Sequence, residues 1–115
     1  MRGEGLRVLG LGKDVAVKGY KLSEHIPKSE LYNLVSQIRR CSVSIPSNIA
    51  EGNERGGKDF VRFLRIARGS LKELEVQLFI AKEIYNVEDI DLNKDLVSLS
   101  KMLFNLIISV EEISK

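Results

Sequence analysis

Six cations recur every three or four residues between positions 55 and 72: Arg55, Lys58, Arg62, Arg65, Arg68 and Lys72. On an α-helix, which turns about 100° per residue, they share one sector of roughly 140°. Phe60, Phe63, Leu64, Ala67, Leu71, Leu74, Leu78, Ala81 and Tyr85 repeat with the same spacing on an almost opposite sector. One side of this helix reads as core and the other as cationic. Exposed helix faces usually mix signs through Glu and Lys four apart, whereas this sector holds no acid before Glu73. Such a stripe suits neutralisation of a polyanion, and Arg39 and Arg40 extend the candidate phosphate contacts to eight. A merely solvated face is the other use of the same residues.

Other chemistry-bearing residues form no complete set. Cys41 and His25 are the single cysteine and histidine, and a nucleophile with a base but no orienting partner is more often incidental. A lone cysteine excludes an internal disulfide and a multi-cysteine metal site, and is consistent with a reducing compartment. Glu51 and Glu54 could pair as carboxylates, yet without histidines at ligand spacing they read as a helix cap or a contact between subunits. The glycines around Lys13 do not make a phosphate loop, because Arg7 and Asp14 stand where glycine and Ser or Thr are required. No catalytic residue, metal or cofactor is expected.

Net charge is +2 over 115 residues, but it is divided unevenly. Residues 1–38 carry six basic and four acidic side chains, residues 39–72 eight and three, and residues 73–115 four and nine. This segregation points to an anionic partner, to complementary contacts between subunits, or to both. The N-terminus lacks an apolar run long enough for a signal peptide or a membrane span, so a soluble, cytoplasmic protein without a membrane partner is expected.

The elements that must carry these residues are helical, since long proline-free stretches are rich in Leu, Ile, Lys, Glu and Arg. Five of the nine glycines fall in the first twenty residues, which weakens helix before about Asp14 and predicts a loose opening. Val8, Leu11, Val15, Gly19, Leu22 and Ile26 then trace one stripe, giving a first helix over about 9–24. Pro27 marks a boundary. Leu31, Leu34, Val35, Ile38, Ser42, Ile45 and Ile49 predict a second helix over about 29–53, with Glu30 near its start and a kink at Pro46. Gly52, Gly56 and Gly57 supply the reversal into the third helix, about 57–85. Asp89 or Asp91 can cap a fourth over about 92–113, where Leu92, Leu96, Leu99, Leu103, Leu106, Val110 and Ile113 keep heptad spacing. Short connections make the whole of residues 1–115 one all-α, antiparallel up-down-up-down four-helix bundle. Phe60, Phe63, Phe79 and Tyr85 are expected on or near the apolar face, which leaves no aromatic ladder for bases; recognition of RNA backbone or shape is therefore expected.

The segment QIRRCSVSIPSNIAEG (37–52) followed by RFLRIARGSLKELEVQL (62–78) closely resembles the 23S ribosomal RNA intervening-sequence proteins, also called four helix bundle proteins. The resemblance covers about residues 30–110 and includes Glu30, Leu34, Gln37, Arg39, Arg40, Ser44, Pro46, Asn48, Ala50 to Gly52, Phe63, Ala67 to Leu71 and Glu73. It implies a four-helix bundle that assembles as a homopentameric ring. A related branch looks like the accessory variability proteins of diversity-generating retroelements, whose basic pentamers bind nucleic acid and a reverse transcriptase. This chain departs from the family at its start, where Leu9-Gly10-Leu11-Gly12 stands in place of an aromatic. Gly69 and Ser70, small residues in mid-helix, would admit a close neighbour. Two uses of the charge remain open: phosphate neutralisation, or pairing of the basic middle of one subunit with the acidic last third of the next.

Overall fold

Leucine and isoleucine stripes at helical spacing cannot be buried singly, and here four of them converge. A computed structural model describes residues 3–113. It contains α1 (Gly3–Ser23), α2 (Leu34–Arg55), α3 (Gly57–Tyr85) and α4 (Ile90–Ile113), with a 3-10 turn at Lys28–Glu30 between α1 and α2. Each helix packs on the next and α4 returns to α1, so α1 and α3 stand diagonally across the bundle. The 29 residues of α3 span about 43 Å at 1.5 Å each, close to the 47 Å long axis of the molecule. The expected antiparallel four-helix bundle is the fold observed.

The core runs the length of the bundle. Val8 and Val15 from α1, Ile38, Ile45 and Ile49 from α2, Leu64, Leu71 and Leu74 from α3, and Leu92, Leu96, Leu99 and Leu103 from α4 are almost completely buried. Each such side chain contributes roughly 1.5–3 kcal/mol on burial. The heptad of α4 holds as far as Leu106, after which Val110 is half-buried and Ile113 exposed.

The opening differs from expectation, because helix begins at Gly3 and the loose start is absent. The glycines explain it. Gly5, Gly12 and Gly19 alternate with Val8, Val15 and Leu22 on the buried face of α1. A Cβ on Gly12 would lie 3.2 Å from Ile49 Cδ1 and 3.6 Å from Pro46 Cα, and one on Gly19 would collide with Ser42 Oγ and sit 3.1 Å from its Cβ. Close approach to α2 offsets the propensity cost of about 1 kcal/mol per glycine. The stripe consequently passes through Gly12, leaving Leu11 half-buried.

The second helix also starts later than expected. Residues 28–33 form the 3-10 turn and a hydrogen-bonded turn that continues it, and Asn33 (φ −132°, ψ −98°) precedes the first turn of α2. Gln37 Nε2 donates to Asn33 Oδ1 at 3.0 Å and Ser36 Oγ donates to the Asn33 carbonyl at 2.9 Å. Pro46 lies inside one continuous α2, beside Asn48, whose Nδ2 donates to the Ser44 carbonyl at 2.8 Å and to Ser44 Oγ at 3.0 Å. Gly56 alone joins α2 to α3, with φ 70°, and Gly57 follows at φ 56°. Both sit in the left-handed region that a side chain rarely adopts. At the start of α4 the Leu92 amide donates to Asp89 Oδ1 at 3.0 Å, so Asp89 rather than Asp91 caps the helix, which begins at Ile90. No helix among the described residues is long and apolar enough to cross a membrane.

Candidate nucleic-acid interface

The cationic stripe occupies the outer side of the first half of α3, where Lys58, Arg62, Arg65 and Lys72 are exposed and Arg68 is half-buried towards α4. Arg55, at the end of α2, continues it across the Gly56 link. Acids reach the stripe from its rims, contrary to the one-signed sector read from helical spacing. Asp59 lies 3.6 Å from Arg55 Nη1 and 3.7 Å from Arg62 Nε, Glu51 accepts from Arg55 Nε at 2.9 Å, Glu75 lies 3.3 Å from Lys72 Nζ, and Glu111 of α4 accepts from Arg65 Nη2 at 2.9 Å. Glu51 and its neighbour Asp59 raise the pKa of Arg55 above its ordinary value, chiefly through the Glu51 hydrogen bond.

These pairs do not seal the surface. The cations in them keep 48–60% of their side-chain area in solvent, and exposed pairs are worth about 0–1 kcal/mol each. A phosphate can take the place of such a carboxylate at little cost. Lys58 and Arg40 are exposed, and among the described residues neither has a carboxylate at ion-pair distance. Phe63 anchors the basic end, with the Arg62 and Arg55 guanidinium carbons 4.5 and 5.1 Å from its ring centre.

Two of the eight candidates are placed differently from the rest. Arg39 points to α1, where its Nε donates to Ser23 Oγ at 2.9 Å and its guanidinium lies 5.1 Å from the Tyr20 ring centre. That side chain braces α2 against α1. Arg68 lies 5.3 Å from the Phe104 ring centre, and its Nε is shielded from solvent without an acceptor among the described residues.

The other sequence candidates are dispersed. Cys41 is fully buried between α2 and α3; Gln77 Nε2 donates to its Sγ at 3.4 Å and Sγ approaches Glu73 Oε2 at 3.9 Å, while His25 is exposed beyond α1. The structure does not pair them. Glu51 serves Arg55, and Glu54 is exposed. Glu30, in the 3-10 turn, accepts from the Tyr85 hydroxyl, which lowers the Glu30 pKa and raises that of Tyr85. Among the described residues no group of three His, Cys, Asp or Glu side chains is placed to hold a metal.

Aromatic placement brings a further correction. Phe60, Phe63 and Tyr85 are half-buried, but Phe79 is 64% exposed and Phe104 48% exposed. Phe104 escaped the sequence reading although it falls between Leu103 and Leu106, off the α4 heptad. An aromatic at a non-core heptad position was the available signal. Gly69 and Ser70 also separate: Ser70 is buried and its hydroxyl hydrogen-bonds that of Ser44 at 2.8 Å, whereas no atom lies within 4 Å of a Cβ built on Gly69.

The family described as 23S rRNA-intervening sequence protein matches residues 4–105. The chain belongs to this family. A solved structure from Bacteroides thetaiotaomicron, described as a protein of unknown function from the S23 ribosomal protein family, shares the fold with a TM-score of 0.81 at 23% identity, covering 91% of this chain and 98% of that one. A search of curated proteins finds no match.

Proposed function

We propose that this chain is a non-enzymatic cytoplasmic bundle that assembles with itself and binds RNA through the outer side of α3. The observation that carries the reading is the run of exposed cations Lys58, Arg62, Arg65 and Lys72 on one side of one helix, their carboxylate partners held only in solvent-exposed pairs. Membership of a family described by an rRNA-intervening sequence supports RNA as the polyanion. Each phosphate neutralised releases condensed counterions, so affinity falls steeply with salt. Arg40, Arg55 and Arg68 add charge at the borders, and Arg39 contributes through its brace on α1.

The test is a salt titration of RNA binding. Affinity should fall by at least tenfold between about 50 and 200 mM salt, and Arg62→Gln with Arg65→Gln should flatten the logarithmic slope by about 1.5. A flat titration, or no binding at low salt, removes the mechanism.

A second reading is favoured by the exposed apolar residues Val76, Phe79 and Ile84 on α3 and Val97 on α4, together with the acidic last third. In it the charges build a ring or dock a protein partner such as a reverse transcriptase, and RNA is incidental. Charge reversal at Arg62 and Arg65 separates the two. An intact oligomer that no longer binds RNA supports the first; loss of the oligomer supports the second.

A further inference from the structure

Where α3 crosses α4 the surface opens into two adjoining grooves, of about 350 and 440 Å³, that share Arg68 and Phe104. Arg65 and Lys72 stand on the rim of the first, and Ile107 and Ile108 continue its floor from Phe104. Lys101 stands on the rim of the second, beside Ser100 and Asn105. Four cations therefore surround an apolar floor, with Glu111 as the acid lining it.

The central pair is unusual for a solvated surface. Phe104 keeps 48% of its area exposed at a position that the leucine seam of α4 does not require. The guanidinium of Arg68 covers the ring at 5.3 Å and, among the described residues, no carboxylate pairs with it. No ion pair among the described residues thus competes with an incoming anion for its charge. Gly69 opens the wall beside it, since nothing lies within 4 Å of its missing Cβ. A strand could approach the helix closely there. Glu111 occupies Arg65 at 2.9 Å, but with 60% and 43% of the two side chains exposed the pair is readily exchanged.

A simple anion would use the cations and leave the ring and isoleucines unused. A duplex would offer phosphates but keep its base faces stacked inside. A flat apolar ring flanked by phosphates uses both features, because bases stack on aromatic rings and on arginine planes alike. The geometry points to an unpaired nucleotide of single-stranded RNA as the occupant, its base on the Arg68 and Phe104 stack and its flanking phosphates on Arg65, Lys72 and Lys101. This inference rests on the RNA-binding reading above and adds the strandedness of the RNA.

The experiment compares a 12-nucleotide single-stranded RNA with the corresponding 12-base-pair duplex, by fluorescence anisotropy on the full chain, for the native protein, Phe104→Ala, Phe104→Leu and Glu111→Gln. Phe104→Ala should weaken single-strand binding about tenfold, leave duplex binding within about twofold, and keep the salt slope, since no charge is lost. Phe104→Leu should recover only part of the loss, and Glu111→Gln should strengthen single-strand binding. Equal loss on both RNAs, no loss on either, or a native protein that binds only duplex overturns the inference and leaves RNA binding standing. Absence of binding to both RNAs by the native protein overturns the functional reading itself. If Phe104→Ala breaks the oligomer in size-exclusion chromatography, the groove is a contact between copies and the inference also falls.

Discussion

Helix α3 meets α2 on one flank and α4 on the other, and the two seams follow opposite rules. Towards α2 each contact has a small residue on the α2 side: Gly52 lies against Phe60 and Phe63, Ser44 meets Ser70, and Cys41 meets Gln77. Towards α4 the border residues are long, with Arg65 reaching Glu111 and Arg68 lying on Phe104. The first seam closes and the second stays open as a groove. At these two borders the difference in side-chain length accompanies the difference between a packed seam and a grooved one.

The largest effect should come from crowding the closed seam. A Cβ at position 52 would lie 2.7 Å from Phe63 Cβ, 3.1 Å from Phe60 Cδ1 and 3.2 Å from the Phe60 carbonyl oxygen, so Gly52→Ala is expected to destabilise by about 2 kcal/mol in urea unfolding. A neutral result would mean that the seam has slack. Next, Ser44→Ala should cost about 1 kcal/mol by stranding the buried Ser70 hydroxyl, Ser70→Ala should cost less because Ser44 Oγ keeps its bond from Asn48 Nδ2, and the double variant should cost less than the sum, which a double-mutant cycle measures.

On the open seam the sign should reverse. Gly69→Ala meets nothing within 4 Å and is expected to stabilise by about 0.5–1 kcal/mol through helix propensity; destabilisation in the same unfolding assay would place an unseen neighbour there. The smallest effect concerns the Glu30 and Tyr85 contact, which ties the far end of α3 to the turn before α2. The Tyr85 hydrogen bond depresses the Glu30 pKa, so its contribution is present above the ordinary carboxylate value and disappears as pH falls through the folded one. Tyr85 is raised by the same contact, so that contribution is present below its ordinary value and disappears as pH rises through the folded one. Tyr85→Phe should flatten both arms of a stability-against-pH profile.

Much of the fold was legible because long apolar stripes leave little choice. The expected 57–85 coincides with α3, bounded by Gly56 and by Asn86 at φ 55°, and residue type narrows the cap of α4 to Asp89 or Asp91, of which Asp89 serves. The extent of α1 is not legible because glycine propensity is local, while the contacts that favour Gly12 and Gly19 come from Ile49 and Ser42 in the next helix. The delayed start of α2 depends on Asn33 and its bond from Gln37, a side-chain pairing that apolar periodicity does not register.

The cationic stripe was equally visible, but not its partners. Asp59 was close in sequence and lies just outside the sector, where only side-chain reach joins it to Arg55 and Arg62. Glu111 and Phe104 lie 46 and 36 positions beyond the arginines they meet. Their arrival depends on the antiparallel register of α3 and α4, which no periodicity within one helix contains.

The single-residue link at Gly56 has a kinetic consequence. Two helices joined so tightly lose little loop-closure entropy on meeting, and their mutual contacts near the turn are close in sequence. The α2 and α3 hairpin is accordingly expected to assemble early, ahead of the pairing of α1 with α4. Crowding at Gly52 should then appear mainly as slower refolding, with the unfolding rate nearly unchanged.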